Sequence, residues 1–237
     1  MPDPVPLYAV GFGGTRDEIA RKSKTLLDEG FAAVKVRVGF DPDDDERLVE
    51  TVSNAIGGGL LADANMGWDR DAAANMTTRL NAYGLGWLEE PLSRDDNDGL
   101  RELRSLASMP LAAGENCYSE EELVGLAKSE TVDVLMPDLA RVGGLTAAIA
   151  GARAALERGQ AYSTHHYASD IGFSAMLALC TVVGKPAPIL RDVSSWPIRE
   201  EILTDPVVIN AGTAEPYDGP GLSAVPRDDV MQEYRVL

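Results

Sequence analysis

Short apolar runs alternate along the chain with longer segments in which apolar residues recur every three to four positions. The runs LYAVGF (7–12), AAVKVRV (32–38), LLAD (60–63), GWLEE (86–90), LAAGE (111–115), VDVLMPD (132–138), AYSTH (161–165) and PILRD (188–192) have the length and content of strands. Between them, residues 15–30, 44–57, 69–84, 118–130 and 144–159 read as amphipathic helices. DEG, NAYG and ERG place a glycine at three helix-to-strand returns. Eight strands with intervening helices predict an α/β chain folded as a (β/α)8-type TIM barrel with right-handed connections. An open doubly wound sheet is the alternative. After residue 200 the chain turns rich in Pro and Gly, so residues 1–205 are predicted to form the barrel and residues 206–237 a tail packed on it.

At 237 residues the chain has the size of one such barrel. Its net charge of −17 argues against nucleic acid and anionic membranes as partners. Five lysines against acidic clusters such as DPDDDE and RDDND suit a surface adapted to high salt, or a merely acidic one. Either way, an anionic substrate needs local cations at its site. No run of 18 apolar residues and no signal-peptide pattern is visible, so a cytoplasmic location is expected. Cys117 and Cys180 are isolated, which indicates neither a disulfide framework nor a zinc site.

Three acids change the picture. Asp63 in LLADAN, Glu89 in WLEEP and Glu115 in AAGEN each end an apolar run, and they stand 26 residues apart. One strand, one helix and two loops use roughly 25–30 residues, so this spacing puts the carboxylates at matching ends of consecutive parallel strands. Three converging carboxylates repel one another unless a hard cation lies between them, and oxygen ligands favour Mg²⁺, or Mn²⁺, over zinc. Lys35 and Arg37 share one face of strand two through their i, i+2 spacing. Asp138 ends strand six, His165 strand seven, and Arg191 and Asp192 strand eight. Singly, each of these reads more simply as a cap, turn or structural residue. Their joint occurrence at successive strand ends points to an active site.

The order K-x-R, D-x-N, W-L-E-E-P, G-E-N, M-P-D-x-x-x-x-G-G and S-T-H resembles the enolase superfamily, in its mandelate racemase and muconate lactonizing enzyme-like branch. The match runs from about residue 5 to 200, and PGLSAVPRDDVMQEYRV resembles that family's C-terminus. The resemblance implies a (β/α)7β barrel in which Mg²⁺, held by Asp63, Glu89 and Glu115, binds a substrate carboxylate and stabilises the enediolate left when the α-proton is removed. It implies Lys35 as a carboxylate contact, Asn65 as a residue near substrate and metal, and His165 with Asp138 as the general base or acid pair. His166 is expected to be structural or to support the site from behind.

Three departures shape the expected function. Arg37 stands where racemases of the family carry a second lysine base, and a guanidinium keeps its proton at ordinary pH. Racemisation needs a base on each face, whereas dehydration needs one, so the pattern favours an acid-sugar dehydratase. The family's glutamate at the eighth strand end is absent; Arg191 stands beside that position and is expected either to bind substrate or to lie on the surface. The chain also begins almost at the first strand, so the N-terminal capping domain that the resemblance implies is expected to be missing or to come from a separate chain. An uncovered apolar rim then favours a homo-oligomer. The expected function is a Mg²⁺-dependent carbon–oxygen lyase acting on a small hydroxylated carboxylate, with Arg37, Asn65 and Arg191 as substrate contacts. The alternatives are a racemase, epimerase or cycloisomerase of the same family, and a catalytically poor metal-binding scaffold.

Overall fold

Eight short parallel strands run through the computed structural model, which describes residues 3–217 and 219–235. Residues 1, 2, 218, 236 and 237 of the predicted barrel and tail lie outside the described residues. The first half of the chain alternates β1 (Val5–Val10), α1 (Arg16–Asp28), β2 (Ala33–Arg37), α2 (Pro42–Ile56), β3 (Leu60–Asp63), α3 (Arg70–Leu80), β4 (Leu88–Glu89) and α4 (Asn97–Leu106). The second half continues through β5 (Leu111–Ala113), α5 (Glu120–Ser129), β6 (Val134–Leu135), α6 (Leu139–Val142), α7 (Leu145–Leu156), β7 (Ala161–Tyr162), α8 (Asp170–Val183) and β8 (Ile189–Asp192). Then α9 (Pro197–Glu201), β9 (Ile209–Asn210), β10 (Thr213–Ala214) and α10 (Asp228–Glu233) complete the chain.

Side chains satisfy the first amides of helices α1 to α5, which fixes where each begins. Thr15 and Glu18 form a reciprocal capping box on α1, and Asp41 caps α2 ahead of Pro42. Asp69, Asp96 and Ser119 cap α3, α4 and α5 in the same way. Two helices depart from the sequence reading. Helix α8 is apolar on almost every side, so it carries no amphipathic period, and α4 follows a polar stretch that masks its start. Strands β4 to β7 are also shorter than the apolar runs that contain them, because the last residues of each run turn into the mouth loops.

Strands β1 to β7 pair in sequence order, all parallel, and β8 returns to β1 from Leu7↔Ile189 to Val10↔Asp192. Between β7 and β8 the seam closes through Ala187 N–H donating to Tyr162 O at 2.8 Å and Leu190 N–H donating to Thr164 O at 3.4 Å. Alternate strand residues fill the interior: Tyr8, Val10, Ala33, Leu61, Trp87, Ala112, Val134 and Leu190 form one buried cluster. Their neighbours, including Leu7, Val34, Leu60 and Leu88, pack outward under the helices. Each such leucine contributes about 1.5–3 kcal/mol by leaving water. At the opposite end from the strand C-termini, the β9–β10 hairpin adds antiparallel to the start of β1 through Val5↔Ala214. Among the described residues no helix is long and apolar enough to cross a membrane.

Candidate metal and catalytic site

Asp63 and Glu89 are register partners on β3 and β4, so the equal spacing in sequence is an equal position in the barrel for this pair. Glu115 is different. The partner of Glu89 on β5 is Ala112, and Glu115 lies three residues beyond it, outside the strand. Parallel strands in a barrel are staggered, so equal sequence steps do not carry equal register all the way round. Gly114 makes the correction. Its φ of +136° breaks the in–out alternation, and a Cβ there would sit 2.9 Å from Met136 N. The turn brings Glu115 to the other two acids. One oxygen from each of Asp63, Glu89 and Glu115 lies within 4.8 Å of the others, and all three residues are buried.

Two cations flank this triad on the β2 side. Lys35 Nζ donates to Glu89 Oε1 and Oε2 at 2.7 and 2.8 Å and lies 3.1 Å from Asp63 Oδ2. Arg37, on the same face of β2 but half exposed, reaches Asp63 Oδ2 at 3.3 Å. Below them, Trp87 Nε1–H donates to Glu89 Oε2 at 3.3 Å, and Tyr8 stands edge-on to the Trp87 ring. Burial alone would lower the proton affinity of the Lys35 ammonium, but the charge of Glu89 and then of its other neighbours holds it well above the ordinary lysine value. Burial pushes the Glu89 carboxyl up to about 7, against the opposing pull of Lys35.

On the far side of the triad, His165 Nδ1 lies 2.7 Å from Asp138 Oδ2, and its Nε2 lies 3.1 Å from Glu115 Oε2. Asp138 and His165 are joined as a parallel bridge between the ends of β6 and β7. Burial acts to raise the Asp138 carboxyl, yet its hydrogen bond to His165 and the amides of the next turn leave it below the usual range. The Tyr167 ring covers the imidazole with its centroid 5.9 Å away. His166 faces elsewhere: its Nε2 meets Ser169 O at 2.9 Å, and Gly172 leaves it room where a Cβ would approach Cε1 to 2.2 Å.

The remaining residues singled out in the sequence divide. Asn65 is exposed at the rim with φ +44°, and its amide donates to Asp63 Oδ1 at 2.8 Å. Arg191 is not brought to the mouth. Strand parity turns Leu190 and Asp192 inward and Arg191 outward, where it pairs with Asp170 at 2.5 Å and Glu200 at 3.3 Å and stacks on Phe173. Asp192 is the inward residue, bonded to Arg199 at 2.5 Å and to the Ser194 amide at 2.8 Å. Sequence reasoning missed two others, Arg141 and Asn116. Arg141 Nη1 donates to Glu115 O and Oε1, both at 3.2 Å, and to Asn116 Oδ1 at 2.9 Å. Asn116 Nδ2 in turn donates to both oxygens of Glu90, at 3.0 and 2.8 Å. Glu90 is fully buried, and burial followed by the charge of Glu115 pushes its carboxyl up to about 8.

The triad fits a hard divalent ion. Its donors are all carboxylate oxygens, and Asp63 Oδ2 is buried without a hydrogen bond although two cations lie within 3.3 Å. Three buried carboxylates with an oxygen free of hydrogen bonds among them are a donor set suited to a hard cation. The Enolase C-terminal domain-like family profile matches residues 18–230. The chain belongs to this family. As an enolase-family barrel, it is 28% identical to the D-galactarolactone cycloisomerase of Agrobacterium fabrum over 98% of its own length and 65% of that protein's. It is also 28% identical to the D-gluconate dehydratase of Thermoproteus tenax, over 98% of its length and 50% of the relative's. An enolase from Bradyrhizobium complexed with magnesium and mandelic acid superposes with a TM-score of 0.84 at 26% identity, covering 100% of this chain and 64% of the other. Relatives matched over shorter stretches include a racemase and epimerases. The chain thus spans between half and two thirds of the length of these proteins, and its relatives are enzymes of more than one reaction type.

Proposed function

We propose that this barrel removes the proton α to the carboxylate of a small hydroxylated acid and then expels the β-hydroxyl as water, the reaction of an acid-sugar dehydratase. One observation carries the reading: proton-accepting capacity lies on a single side of the triad. His165, fixed by Asp138, stands beside Glu115, whereas Lys35 and Arg37 stand beside Asp63 and Glu89. Lys35 is held protonated by its carboxylate neighbours, and a guanidinium does not give up its proton. A reaction that needs one base fits this layout; inversion at the α-carbon needs two.

Asp63, Glu89 and Glu115 would hold Mg²⁺, which when bound supplies Lewis-acid stabilisation of the charge developing on the substrate carboxylate. Lys35 adds a positive charge at the same place. Asp138 accepts the Nδ1 proton of His165 and so leaves Nε2 as the atom that takes the α-proton. The same Nε2 then returns that proton to the departing hydroxyl as the β-carbon–oxygen bond breaks. Water leaves, and the enol that remains becomes a 2-keto-3-deoxy acid. Arg37 and Asn65, both exposed at the rim, bind substrate hydroxyls or a distal carboxylate.

Water must be excluded for these charges to act at full strength. Phe40, Met66, Tyr118, Tyr167 and Trp196 are exposed on the loops that follow five of the strands, which supports a second chain or segment covering the mouth in the working enzyme. A second reading, isomerisation, is favoured by the similarity to the cycloisomerase along nearly the whole chain. Proton NMR with Mg²⁺ over a panel of aldonic and aldaric acids tests the choice. Appearance of 2-keto-3-deoxy products supports dehydration. Isomerised acid without keto product supports the second reading, and no turnover with Mg²⁺ bound points to a missing covering chain or to a metal-binding scaffold.

A further inference from the structure

Arg141 follows β6 in the one-turn helix α6, three residues after Asp138, and reaches across to the end of β5. Its Nη1 touches the Glu115 main-chain oxygen, Glu115 Oε1 and Asn116 Oδ1, while its Nε stands 3.9 Å from Asp138 Oδ2. The other oxygen of the same carboxylate, Oε2, is the one that faces His165 Nε2. Glu115 is therefore held by a guanidinium on one oxygen and faces the imidazole with the other. It needs such a grip more than Asp63 or Glu89 do. Those two end strands and are fixed by the ladder, whereas Glu115 lies in a loop beyond a glycine with φ +136°.

We propose that Arg141 is a positioning residue that sets the rotamer of Glu115, and through it the alignment of the metal triad with the His165–Asp138 pair. This rests on the reading of Asp63, Glu89 and Glu115 as metal ligands. The single Nη1 meets a main-chain carbonyl, a carboxylate and an amide oxygen, its two hydrogens shared among them, while the planar group is aimed by Nε near Asp138 in a way that a lysine ammonium on a flexible stem is not. Asn116 extends the grip to Glu90, so three successive strand ends are tied together by one guanidinium and one amide.

Charge and geometry make opposite predictions, which separates this role from a merely electrostatic one. A cation near a metal site repels the metal, so if Arg141 contributed only charge, its loss would tighten Mg²⁺ binding. As a positioning residue, its loss weakens it. Calorimetric titration of Mg²⁺ into the full chain should show Arg141→Gln binding at least about tenfold more weakly than the parent, with Arg141→Lys between the two. In metal-free protein, the imidazole N–H resonance of His165 should shift or broaden in Arg141→Gln with the circular dichroism unchanged. Equal or tighter Mg²⁺ binding in Arg141→Gln, or full recovery by Arg141→Lys, overturns the proposal. An unmoved His165 resonance overturns it too, including in a protein that binds no Mg²⁺. Neither readout uses turnover, so failure to dehydrate any substrate would count against the proposed reaction and leave this test standing.

Discussion

Glu115 Oε2 lies 3.1 Å from His165 Nε2, so the third acid of the triad and the proposed base share one contact. A cation held by Asp63, Glu89 and Glu115 would compete with the imidazole for that carboxylate and leave Nε2 to substrate. Metal binding should therefore be both tight and stabilising. At a Mg²⁺ concentration of about 100 times Kd, binding adds about 2.7 kcal/mol, or roughly 5–10 °C in Tm for a chain of this size. Differential scanning calorimetry with Mg²⁺ and then with EDTA checks this. Glu115→Gln should abolish the shift.

The pH dependence follows from Glu89 and Glu90. Both carboxyls are raised, chiefly by burial, to about 7 and about 8 from an ordinary 4.5. An acid with a raised folded-state value binds more protons folded than unfolded, so its stabilising effect is present at low pH and is lost as pH rises through the folded value. Metal-free protein should accordingly lose stability from about pH 4.5, the unfolded value, up to about pH 8, and change little above it. Mg²⁺ affinity should move the other way, falling about tenfold per unit below pH 7 as a proton competes for Glu89. Parallel melts and titrations at four pH values measure both slopes; an affinity independent of pH contradicts the assignment.

Asp138→Asn tests the tautomer argument. Asparagine can present its N–H to Nδ1 and leave the proton on Nε2, the wrong nitrogen. Turnover should fall by about 10²–10⁴ while Mg²⁺ affinity changes little. Steady-state kinetics beside calorimetry separate the two.

Arg191→Ala should cost stability rather than chemistry. Its partner Asp170 is 2% exposed and would be left without its cation, a loss of about 3–5 kcal/mol. Activity per folded molecule at low temperature should stay within about threefold of the parent. A large fall in kcat without a fall in Tm would return Arg191 to the substrate site.

Much of the barrel is written in its hydrophobic pattern, because each run must present alternate residues to the interior and to the helices. Asp63 and Glu89 were legible for the same reason: they end such runs in register. Glu115 was found by spacing, but spacing alone could not show that it leaves the ladder and depends on Gly114 to return. Arg191 and Asp192 show where the pattern stops. They are adjacent, and one step of strand parity decides which faces the mouth. Arg141 and Asn116 were illegible because their contacts cross between loops of different strands. A signal was present in the spacing of Arg141 three residues after Asp138, one helical turn along, but only the fold says what lies across the turn.

The most direct test follows substrate recovered from D₂O in the presence of Mg²⁺, using any acid that the barrel turns over. A single base on the His165 side predicts deuterium at the α-carbon with configuration retained, alongside keto product, and loss of both in His165→Asn. Inverted, deuterated substrate from the parent protein, or exchange that survives His165→Asn, would contradict the one-base account.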